Sequence, residues 1–420
     1  MPRRTLCSGA TIGRFFPICS IQPYCSRIIS SLKPADVKIA LAHKRLDLKG
    51  GTERDLYQTA EGLRDLGHEV HLFCSEYGVA APVGVTAHRV GVLPFGRTLR
   101  MWSFALHAPA VISRSGCDIV LSFGRTLEND VLRSGGGTHR GFLKRLGQIG
   151  GSRRRLWQAT SVYHRSLLAL ERRQFASARL KKIIAVSAEV KRDIMANYRL
   201  DGAAIEVLHN GVDTLRFNAD KRAESRRSVR ARWNIPLDAR VVLFVGSGFR
   251  RKGLDRLIPL WSLPQFSEIR LLVVGNDARI GRYRSWAASI APGNIIFAGR
   301  QDDIENYYGA ADIVALPALQ EAFGNVVLEA LASGLPVLVS AQVGAADVLQ
   351  GRLACGIIDR PDDADELART LLNLVNQSAD DALKQEAREI AVHYSWDEHF
   401  RRLDSLLRET CRIPGTINVS

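Results

Sequence analysis

The sequence has the composition of an ordinary globular protein. Its 420 residues are 46% hydrophobic, 24% charged and 7% aromatic, which allows two or three domains with large cores and excludes a collagen-like, wholly disordered or small disulfide-stabilised chain. The seven cysteines form no CxxC pair and no cluster with histidine. The sequence therefore predicts neither a zinc site nor a disulfide framework, and it is typical of a reducing compartment.

The net charge of +15 is concentrated in two segments. Residues 1–35 contain five Lys/Arg and no acid, whereas residues 139–182 contain twelve Lys/Arg and one acid, Glu171. The remaining residues together carry a net charge of −1. Localised positive charge predicts an anionic partner, which could be a nucleic acid, an anionic membrane face or a phosphorylated substrate.

Residues 1–35 precede the first predicted strand. Their content of arginine and serine is typical of an organelle transit peptide, but we favour a poorly ordered extension. No transmembrane helix is predicted, because the charge-free stretch between Glu329 and Asp347 is interrupted by Pro336 and glycines.

From residue 36 onward, short apolar runs alternate with amphipathic stretches, which predicts parallel strands covered by helices. The first set of predicted strands is 37–43, 69–74, 117–123, 181–187 and 205–213, and the second is 240–248, 269–276, 294–300, 312–318 and 335–340. The polar stretch 219–232 predicts a surface helix at a domain junction. We therefore predict an α/β chain with two Rossmann-like domains, 36–215 and 216–395, and a segment 396–420 whose helix crosses back to the first domain before a tail.

The stretch PALQEAFGNVVLEALASGLPV at residues 317–337 places two glutamates eight positions apart just after a predicted strand. Gly324 permits close backbone approach, and a helix is predicted to begin near Asn325, where free amides and the helix dipole favour a diphosphate. Glu329, one turn into the helix, can accept hydrogen bonds from ribose hydroxyls. A glycosidase pair is the competing use of Glu321 and Glu329, but a helical separation of roughly 10–12 Å disfavours it.

A second motif, GSGFRRKG at residues 246–253, follows another predicted strand. It is neither a Walker A loop nor a complete GxGxxG fingerprint, because Arg251 stands where the third glycine would be. Glycines followed by Arg251 and Lys252 suit a nucleotide diphosphate. The alternative is a basic surface turn.

Two further glycine-rich turns, KGGTERD at 49–55 and SGGGTHR at 134–140, lie near other predicted strands. Such turns allow backbone amides to approach a phosphate or a sugar, and His139 could bond a sugar hydroxyl. Each turn taken alone is also compatible with a purely structural role.

Together these motifs resemble the GT-B retaining glycosyltransferases of the GT4-like type, which use nucleotide sugars. The resemblance covers about residues 37–405, and the segments GGTERD, GSGFRRKGLDR, VVGND and QEAFGNVVLEALASGLPVL are similar to the lipopolysaccharide core glucosyltransferases that act on inner-core heptose. It implies a GT-B fold, with an acceptor domain at 36–215 facing a donor domain at 216–395 across a cleft. The implied activity is transfer of a hexose, with glucose from UDP-glucose as the expected donor, to a lipopolysaccharide core or similar glycolipid.

The resemblance also implies roles for individual residues. His139 and Glu321 are expected beside the transferred sugar, and Asp55 is expected to bind or orient the acceptor. The donor is expected to be bound by residues from several loops, namely Gly51, Arg251, Lys252, Gly324, Asn325, Val326 and Glu329.

The expected mechanism follows from the charge of a nucleoside diphosphate leaving group. Lysine, arginine and a helix start can stabilise that charge without a metal, and no DxD motif occurs in a suitable loop after a strand. We therefore expect no metal and no other cofactor. The resemblance implies retention of the anomeric configuration by attack of the acceptor hydroxyl on the face that the phosphate leaves.

The basic segment 139–182 has two interpretations. Leu156, Tyr163, Leu167 and Leu170 fall on one helical face, which is typical of a helix packed on a core with a solvated basic face. The surrounding arginines also suit an anionic membrane surface, and the resembled enzymes act on a lipid-linked phosphorylated saccharide at the cytoplasmic face of the inner membrane. We expect a peripheral protein at that face.

Three other functions compete with this interpretation of the sequence. A glycosyltransferase of another polysaccharide or glycolipid pathway remains the nearest alternative. An NAD(P)-dependent oxidoreductase is disfavoured by the missing third glycine and by the absence of an acid ending the next strand. A nucleic-acid-binding protein is disfavoured because the sequence has no aromatic stacking platform or recognition motif, so no nucleic-acid partner is expected.

Overall fold

The computed structural model describes residues 36–48, 51–144 and 161–412. The predicted extension 1–35, the tail after residue 412 and Lys49–Gly50 of one glycine-rich turn lie outside the described residues. So does part of the basic segment, 145–160, which contains Leu156.

Seven parallel strands form the first sheet, with helices on both faces. The strands of this half are β1 (Lys38–Ala42), β2 (Arg45–Leu46), β3 (Glu69–Cys74), β4 (Glu76–Tyr77), β5 (Thr86–Arg89), β6 (Ile119–Ser122), β7 (Val131–Ser134), β8 (Lys182–Ala185) and β9 (Ile205–Val207). Its helices are α1 (Gly51–Asp65), α2 (Arg97–Ser113), α3 (Val162–Phe175) and α4 (Ala188–Tyr198), and residues 139–144 are also helical. The spatial order is β5-β3-β1-β6-β7-β8-β9, and β2 pairs with β4 separately.

Six parallel strands form the second sheet. They are β10 (Arg240–Val245), β11 (Ile269–Val274), β12 (Ile295–Gly299), β13 (Ile313–Leu316), β14 (Val337–Ser340) and β15 (Ile357–Ile358), in the order β12-β11-β10-β13-β14-β15. The helices of this half are α5 (Arg222–Arg232), α6 (Phe249–Lys252), α7 (Leu254–Leu257), α8 (Ile280–Ile290), α9 (Ile304–Ala310), α10 (Asn325–Ala332), α11 (Ala364–Gln377), α12 (Asp381–His393) and α13 (Trp396–Arg412).

These two sheets confirm the predicted α/β fold with two Rossmann-like parallel sheets. Strands covered on both faces must be apolar on both sides, and β13, with the sequence IVAL, is buried at every position. All ten predicted strands are present. Short strands such as β5, with its partly exposed sequence TAHR, were not predicted because they carry no apolar run.

Helix α13 packs against α1 of the first sheet. Leu403 and Leu407 share a core with Leu56 and Leu63. The ring of Phe400 lies so close to Gly62 that any side chain there would overlap it. The chain thus returns from the second sheet to the first through its final described helix.

Helix α5 is present as predicted, but one side of it is buried and not solvent-exposed. Arg230 is completely buried and donates to Asp312, at 2.9 Å, and to the carbonyl oxygens of Ala310 and Ala239. The prediction was wrong for this side because Asp312, just before β13, requires a buried cation, and the pairing partner is 82 residues away in the sequence.

We predict that Arg230→Ala lowers the free energy of unfolding by about 3–5 kcal/mol, because removing one partner leaves buried acceptors without their donor. Arg227→Ala, in the same helix at an exposed position, should change it by less than about 0.5 kcal/mol. Chemical denaturation of both variants measures the difference, and equal losses would contradict the assignment.

Candidate functional site

The strand order of each sheet reverses at one point, and this point locates the candidate site. In the second sheet, successive connections run outward in opposite directions from β10 and β13. A crevice forms at the carboxyl ends of such neighbouring strands, where ligands bind in open parallel sheets. The motif 246–253 follows β10 and the motif 317–329 follows β13, so the fold brings the two predicted donor motifs together.

Two cations meet one carboxylate in this crevice. The Nη1 atom of Arg251 bonds Oε2 of Glu321, and Nζ of Lys252 lies 3.8 Å from the same oxygen. Burial lowers the pKa of Lys252, and Glu321 opposes this shift. With both cations charged, the group carries one positive charge in excess, which suits an anionic ligand.

A glycine is required where the two loops touch. Gly253 has φ +88° and its Cα lies so close to the carbonyl of Pro317 that a Cβ would be 2.0 Å from the oxygen. Arg251 and Lys252 are thereby held beside the loop that carries Glu321. Any larger residue at Gly253 would separate the loops.

Helix α10 begins next to Glu321 with no capping side chain. Gly324, at φ 96° and ψ 68°, is its N-cap residue, and Asn325 is its first residue. The first amides of a helix have no acceptor within the helix. The predicted residues Gly324, Asn325 and Val326 therefore stand at a helix start suited to an anion, although the Val326 side chain itself is buried.

Glu329 lies one turn further along α10. Its Oε2 atom accepts a hydrogen bond from the hydroxyl of the buried Tyr308. Burial raises the pKa of Glu329, while Tyr308 and then Lys252 oppose the shift. Tyr308, which the sequence did not single out, fixes this carboxylate while leaving its other oxygen available.

The first sheet contributes a cavity of about 290 Å³. Its lining includes Thr52, the glycine-rich turn 135–137 and His139. Gly51 is the first residue of helix α1, directly before Thr52, and is exposed. A side chain at this position would meet no atom within 4 Å of its Cβ. The two glycine-rich motifs of this half therefore lie together.

His139 is held by a second imidazole. Its Nε2 atom lies 3.0 Å from Nδ1 of His164, and it stacks on Phe142. Burial lowers the pKa of His139 to about 4, and Glu171 opposes this shift. The imidazole is consequently neutral at pH 7 and can act as a hydrogen-bonding group.

Asp55 is not an open carboxylate. It is buried, and its Oδ2 atom accepts a hydrogen bond at 3.0 Å from Arg133 of β7. Arg133 donates to Asn210 at 2.7 Å, and Asn210 donates to Asn325 at 2.8 Å. Asp55 thus begins a polar chain that ends at the start of helix α10, and its expected role with the acceptor stays a prediction.

Two more contacts join the first half to the loop that carries Glu321. The hydroxyl of Ser187 donates to the carbonyl of Ala322 at 2.8 Å, and the amide of Ala188 donates to Asp347 at 2.7 Å. Arg133 is a site residue that the sequence analysis missed. Arg133 lies in a short strand, and its partners are 77 and 78 residues away.

Within the described ranges, His, Cys, Asp and Glu side chains form no group of three suited to a metal ion. In the same part of the chain, no helix has both the length and the apolar character to cross a membrane.

Two protein-family models match the chain. The model described as glycosyltransferase family 4 matches residues 49–216, and the model described as glycosyl transferases group 1 matches residues 225–390. The first match contains every strand of the first sheet except β1, and the second match contains the whole of the second sheet.

Two relatives illustrate the similarity of sequence. Lipopolysaccharide glucosyltransferase WaaG of Escherichia coli is 27% identical over 350 residues, which are 82% of this chain and 91% of that protein. A D-inositol 3-phosphate glycosyltransferase of Salinispora arenicola is 32% identical over 237 residues, and the match covers 52% of this chain and 53% of that protein.

Solved structures show the same fold. The crystal structure of WaaG matches with a TM-score of 0.71 at 25% identity, covering 88% of this chain and 99% of that one. The Anabaena protein HepE in complex with UDP matches with a TM-score of 0.65 at 17% identity, covering 89% and 100% of the two chains.

The lowered pKa of His139 predicts a pH dependence of stability. Between its ordinary value of 6.5 and about 4, the unfolded chain binds a proton at this position and the folded chain does not. The free energy of unfolding should therefore fall as the pH falls through this interval. In His139→Gln the fall between pH 7 and pH 5 should be smaller, as measured by urea denaturation. The same fall in both proteins would show that His139 titrates normally.

Proposed function

This chain belongs to the group 1, GT4-like glycosyltransferases of the GT-B fold, which use nucleotide sugars, and on that premise we propose its substrates. The proposed reaction transfers glucose from UDP-glucose, with retention of configuration, to a heptose of a lipopolysaccharide core or similar glycolipid. Similarity to the E. coli lipopolysaccharide glucosyltransferase over 91% of that protein supports this choice. The donor assignment depends mainly on one observation: Arg251 and Lys252 both form ion pairs with Glu321 next to the start of helix α10.

The donor diphosphate is proposed to bind at this meeting point. Arg251 is exposed and can turn its planar guanidinium from Glu321 to phosphate oxygens, where it makes two parallel hydrogen bonds. Lys252 is more enclosed and supplies a point charge whose burial makes an anion a favourable neighbour. The amides of Asn325 and Val326 add donors directed at the same anion.

The sugars of the donor are proposed to lie on either side of the diphosphate. Glu329 accepts hydrogen bonds from the ribose hydroxyls through the oxygen that Tyr308 does not engage. Glu321, released from Arg251 when phosphate binds, accepts hydrogen bonds from hydroxyls of the glucose. Gly51 and His139 of the first half complete the sugar site from the opposite wall.

In the proposed reaction, the acceptor hydroxyl attacks the anomeric carbon on the face from which UDP departs. The bond between that carbon and the phosphate oxygen breaks, and the departing phosphate takes the proton of the acceptor hydroxyl. Lys252 and Arg251 stabilise the negative charge that develops on the diphosphate. This route needs no nucleophile from the enzyme and no metal or other cofactor.

The acceptor is proposed to be lipid-linked, with the basic segment at the cytoplasmic face of the inner membrane. On α3, Leu167 and Leu170 are buried, which supports the core-packed interpretation. The opposite side exposes Arg165, Arg172 and Arg173, so the helix can also meet an anionic surface. The two interpretations are compatible.

A donor and acceptor screen tests the proposed function. UDP-, GDP- and ADP-sugars are offered with a lipopolysaccharide core acceptor and with inositol phosphate, because the relatives include a D-inositol 3-phosphate glycosyltransferase. We expect transfer from UDP-glucose to the core acceptor, with an α-linked product from the α-linked donor. Transfer only to another glycolipid, polysaccharide or inositol acceptor would replace the proposed pathway.

Lys252→Ala and Arg251→Ala should each weaken UDP binding by roughly 10- to 100-fold, the effect expected for loss of a hydrogen bond to a charged group. Arg250→Ala removes the same charge from the exposed position directly before Arg251 and should change the Kd by less than about threefold. Calorimetric titration with UDP measures all three. Equal weakening by all three would indicate only a general effect of charge.

Replacing Arg165, Arg172 and Arg173 together with glutamine should weaken binding to phosphatidylglycerol vesicles by about 100-fold, since each cation near such a surface contributes on the order of 1 kcal/mol. The matched control replaces three exposed arginines of the second half, Arg282, Arg284 and Arg300. Vesicle sedimentation at low and high salt measures the difference. If the wild-type protein binds neutral vesicles equally well and salt does not weaken the binding, the proposed attachment to an anionic membrane is contradicted.

A further inference from the structure

The single acid of the basic segment, Glu171, is completely buried in helix α3. Burying a carboxylate is costly unless it is well paired and hydrogen-bonded. The Glu171 carboxylate accepts hydrogen bonds from the guanidinium of Arg125, at 2.8 Å, and from the hydroxyl of Tyr198, at 2.5 Å. This carboxylate is therefore a fully bonded centre and not a residue of the solvated basic face.

Glu171 also holds the backbone at His139. Its Oε1 atom accepts from the amide of His139 at 2.7 Å, and its Oε2 atom accepts from the amide of Arg140 at 3.3 Å. These two amides open the helical residues 139–144. Glu171 thus caps this helix start from a position 32 residues away.

The loop before this helix start does not determine its own conformation. Three consecutive glycines, 135–137, precede Thr138, and Gly137 has φ +75°. Because glycines leave a chain with many accessible conformations, the place of His139 is not determined by the loop itself. The amide and the hydroxyl of Thr138 donate to the carboxylate of Asp193, at 2.7 and 2.8 Å, which holds the loop at this point.

A second residue of helix α3, His164, contacts the side chain of His139. His164 lies seven residues before Glu171, so that both point from the same side of the helix. The Nδ1 atom of His164 is 3.0 Å from Nε2 of His139. One helix therefore fixes both the backbone and the imidazole of His139.

We propose that Glu171 and His164 are positioning residues that set the place and orientation of the His139 imidazole in the sugar-binding cavity. The catalytic consequence rests on the proposed function, in which His139 lies beside the transferred sugar. The positioning itself rests only on the bonds of helix α3 to residues 139 and 140. Neither residue needs to touch the substrate.

Asp130 provides a matched control for Glu171. It is a buried carboxylate of the same half that pairs with Arg179, at 3.2 Å, and accepts from the amide of Val120, at 2.8 Å. It directly precedes β7 and so lies at the edge of the sheet opposite the cavity. Asp130→Asn should reduce stability as Glu171→Gln does, but it should leave His139 in place.

The experiment compares Glu171→Gln, His164→Ala and Asp130→Asn in the full-length protein. Spectra of protein with isotope-labelled histidine, recorded without substrate, report the environment of the His139 ring, which His139→Gln identifies. We expect the His139 resonance to move in the first two variants and to stay in Asp130→Asn. With UDP-glucose and acceptor, we expect kcat to fall about 10- to 100-fold in Glu171→Gln, the loss typical of a misplaced group, with the donor KM within about twofold.

Two results would overturn the proposal. One is an unmoved His139 resonance in Glu171→Gln, and the other is an equal loss of kcat in Glu171→Gln and Asp130→Asn. His164 is partly exposed, so His164→Ala is expected to fold; if Glu171→Gln does not, an unmoved His139 resonance and an unchanged kcat in His164→Ala overturn the proposal. If the wild type transfers no glucose, the proposed function fails, while the spectra without substrate still decide the positioning.

Discussion

The site depends on one carboxylate, that of Glu321, which holds two cations where the strand order of the second sheet reverses. Arg251 and Lys252 share this one acid. The excess positive charge and the uncapped start of helix α10 nevertheless favour an anion. The contact of Gly253 with Pro317 keeps the two loops close together, so a local packing constraint holds both cations beside Glu321.

The loop that carries Glu321 is also fixed from the first half of the chain. Ser187 bonds the residue next to Glu321, and Asn210 bonds Asn325 at the start of α10. Arg133 and Asp55 extend the second contact to helix α1. Since buried hydrogen bonds are lost at considerable cost, the geometry of the proposed donor site depends on side chains from both halves.

Local patterns predicted the fold well, because strands and turns depend on short-range features. The apolar runs gave the ten strands, and the glycine before Asn325 marked the start of α10. What the sequence could not give are pairings between distant residues. Burial of Arg230 requires Asp312, the paired state of Asp55 requires Arg133, and the buried Glu171 stands in a segment whose composition suggests a solvated surface. Helix α3 shows both outcomes, with exposed arginines on one side and an anchoring acid on the other.

A crystal structure of the protein with UDP-glucose would show where the diphosphate binds. We expect the diphosphate within hydrogen-bonding distance of Arg251, Lys252 and the amides of Asn325 and Val326, with Glu321 turned from Arg251 to the hexose. A diphosphate bound elsewhere, with Arg251 still paired to Glu321 and the start of α10 empty, would contradict it.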